Sequence, residues 1–349
     1  SPADFSPPRA DFCKFFLCFG WYAGRMRSLE QVDPAVLANG SRILWVIIAA
    51  MAAAVVVSYR AAGLSVDISS NPALLGSFPI LGGIVWVYRS LRPNQHLACA
   101  METTTQLLLV LLLGILLTYA AIAAGYPYRD AELHGADQWI GFDRRSYLAF
   151  IKAHHWLSHS FTFAYLSLHI QTALIPLALV IAGQFTRFQH MVVALAIALS
   201  VTVAVSVFVP ALAAFAYLDL KTVGLDPLSP AAPYTHVPTM EALRSGALHI
   251  IKLDNLEALL TFPSFHTAAA LVFAWATWAI PFVRWPSLLV NAVMIAATPV
   301  DGAHYFVDVI GGSAVALIAV SLGAYLLGPR RRRARSSMPV ENPGTMASA

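Results

Sequence analysis

Charge is scarce in this chain. Asp, Glu, Lys and Arg make up 11% of its 349 residues, against about a quarter in soluble proteins. So few charges cannot cover a water-facing surface of this size, which excludes a soluble globular protein. Cysteine is nearly missing as well. Cys13, Cys18 and Cys99 form no closely spaced pair with a His partner, which argues against a zinc site, and they build no disulfide framework. They read as inert thiols. No short apolar stretch with a small-residue cleavage site is visible, so no signal peptide is expected. No internal repeat is visible, and with it goes the usual sequence sign of a transporter built from two related halves.

What the chain does have is apolar length. Hydrophobic residues make up 58% of it, gathered in runs close to the ~20 residues that cross a bilayer core as a helix. The runs lie at about Ile43–Tyr59, Pro72–Tyr88, Thr105–Ala124, Phe163–Ala182, Met191–Leu218, Pro263–Ile280, Pro286–Pro299 and Tyr305–Leu327. The expectation is an all-α integral membrane protein of about eight transmembrane helices. Two longer polar segments interrupt them, residues 126–162 and 219–262. The first holds Trp139, Tyr147 and Trp156, residue types that favour the membrane–water interface. Residues 1–41 carry aromatic and basic side chains suited to lying on a membrane surface. The tail from Pro329 opens with Arg330–Arg333 and Arg335, continues Ser- and Pro-rich, and reads as disordered with a lipid-headgroup anchor.

Lys and Arg set the expected orientation. With eight spans both termini share one side, and that side carries fourteen of the 22 basic residues. The termini are therefore expected in the cytoplasm and the two long polar segments on the opposite face. The net charge of +4 is a topology signal and implies no nucleic-acid partner.

Two places carry chemistry. In Phe262-Pro263-Ser264-Phe265-His266-Thr267 a proline suited to a first helical turn follows Thr261, a possible N-cap. A helix N-terminus there offers free N–H groups to a phosphate. In Asp301-Gly302-Ala303-His304-Tyr305-Phe306-Val307-Asp308 a His and an Asp four apart can share a helix face. A carboxylate beside an imidazole orients it and favours its charged form. Burying that carboxylate in a span is costly, which argues for a use. Both motifs start a span on the same expected membrane face, so His266, His304 and Asp308 can converge. A metal held by these three is conceivable. A metal-free site ranks above it, because a helix N-terminus and nearby Arg and Lys already supply positive charge.

Pro263-Ser264-Phe265-His266 resembles the second motif of the type 2 phosphatidic acid phosphatase superfamily, commonly Pro-Ser-Gly-His. His304-Tyr305-Phe306-Val307-Asp308 resembles its third. With the following Gly311-Gly312 the pair is most similar to the inositol phosphorylceramide synthase branch, in a bacterial member. The resemblance covers roughly residues 130–325. It implies a six-helix phosphatase-type catalytic core preceded by two extra helices. It also implies a membrane lipid phosphatase or phosphotransferase: His304 as the nucleophile, Asp308 as its partner, His266 as acid and then base, and no metal or cofactor. The implied partners are a membrane lipid substrate, an alcohol or inositol acceptor and the bilayer, with no nucleic acid. The implied place is a bacterial inner membrane, with the site at the periplasmic face. The expected organisation is a cytoplasmic segment (1–41), N-terminal transmembrane helices (42–125), the catalytic core (126–328) and the basic tail (329–349).

The chain departs from that pattern in two ways. The Arg that often stands six residues before the third-motif His is Thr298 here. The first motif, a Lys followed by Arg-Pro, is absent; Arg92-Pro93 is the one Arg-Pro pair and falls on the cytoplasmic side. The phosphate clamp must then come from elsewhere. Arg244 and Lys252 are the candidates, with Ser264 and Phe265 as further substrate contacts. Arg144, Arg145 and Lys152 are weaker ones, better suited to interface anchoring, as are His154, His155 and His159. Tyr165, Ser167, His169 and Gln171 either line a headgroup cavity or bond between helices. The alternative function is a non-enzymatic transporter or structural membrane protein with a degenerate site.

Overall fold

The computed structural model describes residues 34–220 and 231–328, with side chains from residue 236 in the second stretch. Residues 1–33 of the expected surface segment 1–41 and the basic tail from residue 329 lie outside the described residues; residues 34–41 belong instead to the first helix.

Among the described residues there are twelve α-helices and two short strands. In chain order these are α1 (Pro34–Ala62), β1 (Ser65–Asp67), α2 (Pro72–Trp86, prolonged by a wide turn to Leu91) and α3 (Gln95–Ala123). Then come α4 (Asp130–Trp139), α5 (Arg144–Ala153), α6 (His155–Ile181), α7 (Phe185–Phe208) and α8 (Ala214–Tyr217). The last are α9 (Ala231–Arg244), β2 (Ile250–Lys252), α10 (Phe265–Thr277), α11 (Pro281–Asp301) and α12 (Phe306–Leu327). Seven helices, α1, α2, α3, α6, α7, α11 and α12, are long and apolar enough to cross a membrane. The all-α integral membrane fold follows. Large apolar side chains such as Val46, Val57, Leu289 and Leu317 stand exposed along these helices. Such surface is stable only against lipid tails.

Four spans begin earlier than the sequence expectation, α1 at Pro34, α3 at Gln95, α6 at His155 and α11 at Pro281, and two others differ more. The fifth run ends as a helix at Phe208 rather than Leu218. Pro210 lacks the N–H to continue it, and Ala213 takes a positive φ of 92°. The sixth run is a helix of only 13 residues, about 20 Å at the usual rise. Arg187 closes its far end by donating to the carbonyls of Trp275 and Ala276, where a cation meets the negative end of the helix dipole.

Small residues decide how closely the helices pack. A Cβ at Gly114 of α3 would overlap the side chain of Leu199 on α7. These two helices have the most buried apolar stretches in the bundle. The buried face of α1 runs Leu37, Leu44, Ile48, Met51, Val55 and Tyr59, the 3.6-residue period of one stripe, and Tyr59 donates to the Leu116 carbonyl of α3.

The long polar segments are ordered where described. β1 and β2 pair in parallel, Val66 opposite Ile251 and Asp67 opposite Lys252. This ties the α1–α2 connection to the strap that leads into α10. The strap is then pinned along its length. Tyr119 Oη accepts from the Glu257 N–H and Thr118 Oγ1 from the Leu259 N–H. Thr261 donates to the Ala211 carbonyl and Ser206 to the Phe262 carbonyl. The strap therefore delivers Ser264 and His266 to a defined place.

Candidate active site

Ser264 is the N-cap of α10, its hydroxyl accepting from the Thr267 N–H. This corrects the expectation that Thr261 caps and Pro263 begins the helix. Thr261 is spent on the Ala211 carbonyl, and the helix starts at Phe265. The N–H groups of Phe265 and His266 have no intrahelical acceptor at this position. Phe265 packs between two apolar clusters. The half-buried His266 stacks on Tyr165 of α6, ring centroids 4.1 Å apart at 9°. Tyr165 Oη lies 3.3 Å from His266 Nδ1, so with the proton on Nε2 the hydroxyl donates to Nδ1.

His304 precedes α12, and Tyr305 is that helix's N-cap. The expectation that His304 and Asp308 meet on one helix face is thus corrected: they meet through a helix cap. Asp308, the third residue of α12, accepts from the Tyr305 N–H at 3.0 Å and from His304 Nδ1 at 2.9 Å through the same oxygen. A carboxylate in a first turn is favoured by the helix dipole. Both side chains are buried. With Nδ1–H donating to Asp308, the lone pair of His304 stays on Nε2. The two motifs touch directly: the Ser264 N–H donates to the Asp308 carbonyl at 3.0 Å. A Cβ on Gly302 would meet His304 Cδ2 at 2.6 Å and Tyr165 Oη at 2.7 Å, so α6, α10 and the 302–308 bend close around one spot.

The charged candidates for a clamp lie elsewhere. Arg244 donates to the carbonyls of Tyr126 and Gly125 and covers the Tyr128 ring, finishing the end of α3. Lys252 stands exposed in β2 opposite Asp67. Thr298 is buried, its hydroxyl on the Met294 carbonyl. Of the polar set on α6, Tyr165 joins the site. Ser167 and Gln171 bond on to Asn291 of α11, and His169 faces outward. His154 bonds back to the Phe150 carbonyl. Among the described residues no group of three His, Cys, Asp or Glu side chains could hold a metal ion. Two cavities, of about 330 and 370 Å³, are lined at the opposite end of the bundle by Glu102 and Arg187 among others, and include neither histidine.

Behind the site stands a group that no motif announced. Arg144 of α5 is buried, donating to the carbonyls of Pro299 at 2.9 Å and His304 at 2.7 Å and to Asp137 at 3.3 Å. Asp137 of α4 also accepts from the N–H groups of Phe306 and Val307. Asp130 accepts from the Tyr305 hydroxyl at 2.8 Å and from the Leu212 N–H. Burial pushes the Asp130 carboxyl upward, opposed by the bond from Leu212. Burial lowers the Arg144 guanidinium, and the charge of Asp137 opposes the shift. The sequence signal was faint. Arg144 sits beside the exposed Arg145 in a stretch that reads as an interfacial segment.

Tyr165→Phe should lower any turnover at His266 about tenfold, the worth of one hydrogen bond near 1 kcal/mol or slightly more, with stacking and stability kept. Initial rates beside thermal unfolding check this; a wild-type rate would remove the hydroxyl from the mechanism.

A sequence model of the PAP2 superfamily matches residues 131–322, just over half of the chain. It takes in α6, α7, α10, α11 and α12 and both histidine motifs. No curated protein and no solved structure matches.

Proposed function

The chain belongs to the PAP2 superfamily and is an integral membrane protein of phosphatase type, and from this we propose that it moves a phosphoryl or phospho-headgroup of a membrane lipid through a phosphohistidine on His304. The observation that carries the proposal is the single oxygen of Asp308 that holds both His304 Nδ1 and the Tyr305 N–H, with Ser264 of the other motif bonded to the Asp308 carbonyl.

In this reading His304 Nε2 attacks phosphorus. The P–N bond forms as the bond to the leaving oxygen breaks, and His266 gives that oxygen its proton. Asp308 offsets the charge of the imidazolium. His266 then takes a proton from the acceptor, whose oxygen displaces Nε2 and frees His304. Ser264 caps the α10 N-terminus, whose free N–H groups face the charge that develops on the phosphoryl oxygens. Arg244 and Lys252 have no part in this version, because their bonds and pairing lie at the end of α3 and in β2. Water as acceptor makes the protein a phosphatase. An alcohol acceptor makes it a transferase of the inositol phosphorylceramide synthase-like kind, a form favoured by the Phe265 and Gly311-Gly312 variants of the motifs. The distribution of Lys and Arg supports cytoplasmic termini and a site on the opposite face, which in the bacterial inner membrane that the resemblance implies is the periplasm.

The test is a product assay on purified protein in mixed micelles. Phosphatidate, a polyprenyl diphosphate, and phosphatidylinositol with ceramide or diacylglycerol are offered in turn. Release of inorganic phosphate identifies a phosphatase, and a new phospholipid without phosphate release identifies a transferase. No turnover of any of these lipids would count against the enzymatic reading.

A further inference from the structure

We propose that Arg144 is a positioning residue for His304, acting on the backbone that carries the imidazole; this rests on the catalytic reading of His304 above.

The bend that holds His304 has little structure of its own. It joins the end of α11 to the start of α12 through residues 302–305, and Ala303 adopts a positive φ of 50°, a conformation that non-glycine residues rarely take. Its carbonyls are therefore held from outside. The Ala303 carbonyl accepts from the Ala214 N–H at 2.9 Å. The carbonyls of Pro299, on the near side, and of His304 itself both accept from Arg144. One guanidinium thus fixes the last turn of α11 against the residue that carries the imidazole.

The guanidinium is itself held. Asp137 takes one of its donors and also accepts from the first two N–H groups of α12, at 3.0 and 2.9 Å. The rings of Phe142 and Tyr305 each lie 5.7 Å from its central carbon, the range of a cation–π contact. Phe142 stacks on Phe306 at 4.8 Å. The Tyr305 hydroxyl is tied to Asp130. Arg144 therefore links α5, the end of α11, the His304 bend and, through Asp137, the start of α12. Its Nη1 and Nη2 donate to protein groups, and its Nε is buried without a hydrogen-bond partner, so the fork acts through the His304 backbone.

The planar fork serves two carbonyls and a carboxylate from two nitrogens with fixed donor directions. An ammonium keeps the charge and loses that geometry. Arg144→Lys therefore separates position from charge. Arg145→Lys makes the same change one residue away, on an exposed side chain. Two readings are taken on each variant in detergent, with thermal unfolding alongside. The first is lipid turnover. The second is the rate at which diethyl pyrocarbonate acylates His304, located by peptide mass, which needs no turnover.

Arg144→Lys should lower kcat about 100-fold with KM within about threefold, the cost of a small misplacement of a reacting group. His304 acylation should rise about tenfold as the bend opens locally and its imidazole leaves its buried place. Arg145→Lys should match wild type in both. A folded Arg144→Lys with wild-type kcat and wild-type His304 reactivity overturns the proposal, and so does a loss confined to KM. If Arg144→Lys does not fold, the same readings on Asp137→Asn, expected to move in the same directions by about tenfold, decide. If the wild type turns over no lipid, the catalytic reading falls, and His304 reactivity alone decides whether Arg144 holds the bend.

Discussion

His304→Ala should remove essentially all lipid turnover, by roughly four orders of magnitude or more, as expected when a nucleophile that acts as part of a unit is deleted. The side chain is buried and its loss leaves Asp308 without the donor on Nδ1, but the carboxylate keeps the Tyr305 N–H. The protein should therefore still fold. Asp308→Asn is expected to fall short of that loss, by about three orders of magnitude. An amide still bonds to Nδ1, but it no longer stabilises the imidazolium, and it can impose the wrong tautomer. An acid-labile, base-stable phosphoryl label on the wild-type protein, missing from His304→Ala, is the direct check. Turnover above about 1% of wild type in His304→Ala would end the phosphohistidine mechanism.

Gly312→Ala should be the most damaging small change away from the two histidines. A Cβ at Gly312 would drive into the Ser264 carbonyl oxygen and come within 3.0 Å of Thr267 Cβ and 3.2 Å of the Ser264 carbonyl carbon. Two of the three obstacles are backbone, so no rotamer change relieves them, and α12 must back away from the start of α10. That movement pulls on the Ser264–Asp308 bond and shifts His304 against His266. Overpacking of this kind costs about 1–3 kcal/mol, and a displacement near 1 Å lowers turnover about 100-fold. Gly311→Ala meets Pro263 and the Phe262 ring at 3.1 and 3.2 Å, side chains that can give way, and should cost less. Gly83→Ala in α2 meets nothing within 4 Å and should be neutral, since alanine favours the helix. Thermal unfolding and initial rates on the three variants give the order. A Gly312→Ala protein as stable and active as wild type would show that the close approach is not needed.

Much of this molecule is readable without coordinates, and the reason is the solvent. In a bilayer each span must satisfy its own backbone and expose apolar side chains along its whole length, so helices announce themselves as long apolar runs. That logic found the seven long helices. It placed α10 correctly but overran it, because apolar composition does not show where Ser264 caps and Arg187 closes. His304 and Asp308 were legible for a different reason. They are four residues apart, and any local fold that keeps i and i+4 close brings them together. The manner of their meeting was not legible, since a helix face and a helix cap have the same spacing.

The chain by itself determined the membrane-embedded α-helical class and the three residues on which the chemistry is proposed to rest, because hydropathy and short-range spacing are local properties. Only the tertiary structure decided which cations stand near them. Arg244 and Lys252 are as basic as Arg144 and closer in sequence to His266. Arg244 ends on the Gly125 and Tyr126 carbonyls just beyond α3, Lys252 in a strand pair, and Arg144, 160 residues before His304, beneath the histidine bend. A guanidinium goes where unpaired carbonyls and a carboxylate meet out of water, and that meeting is made by elements distant in sequence.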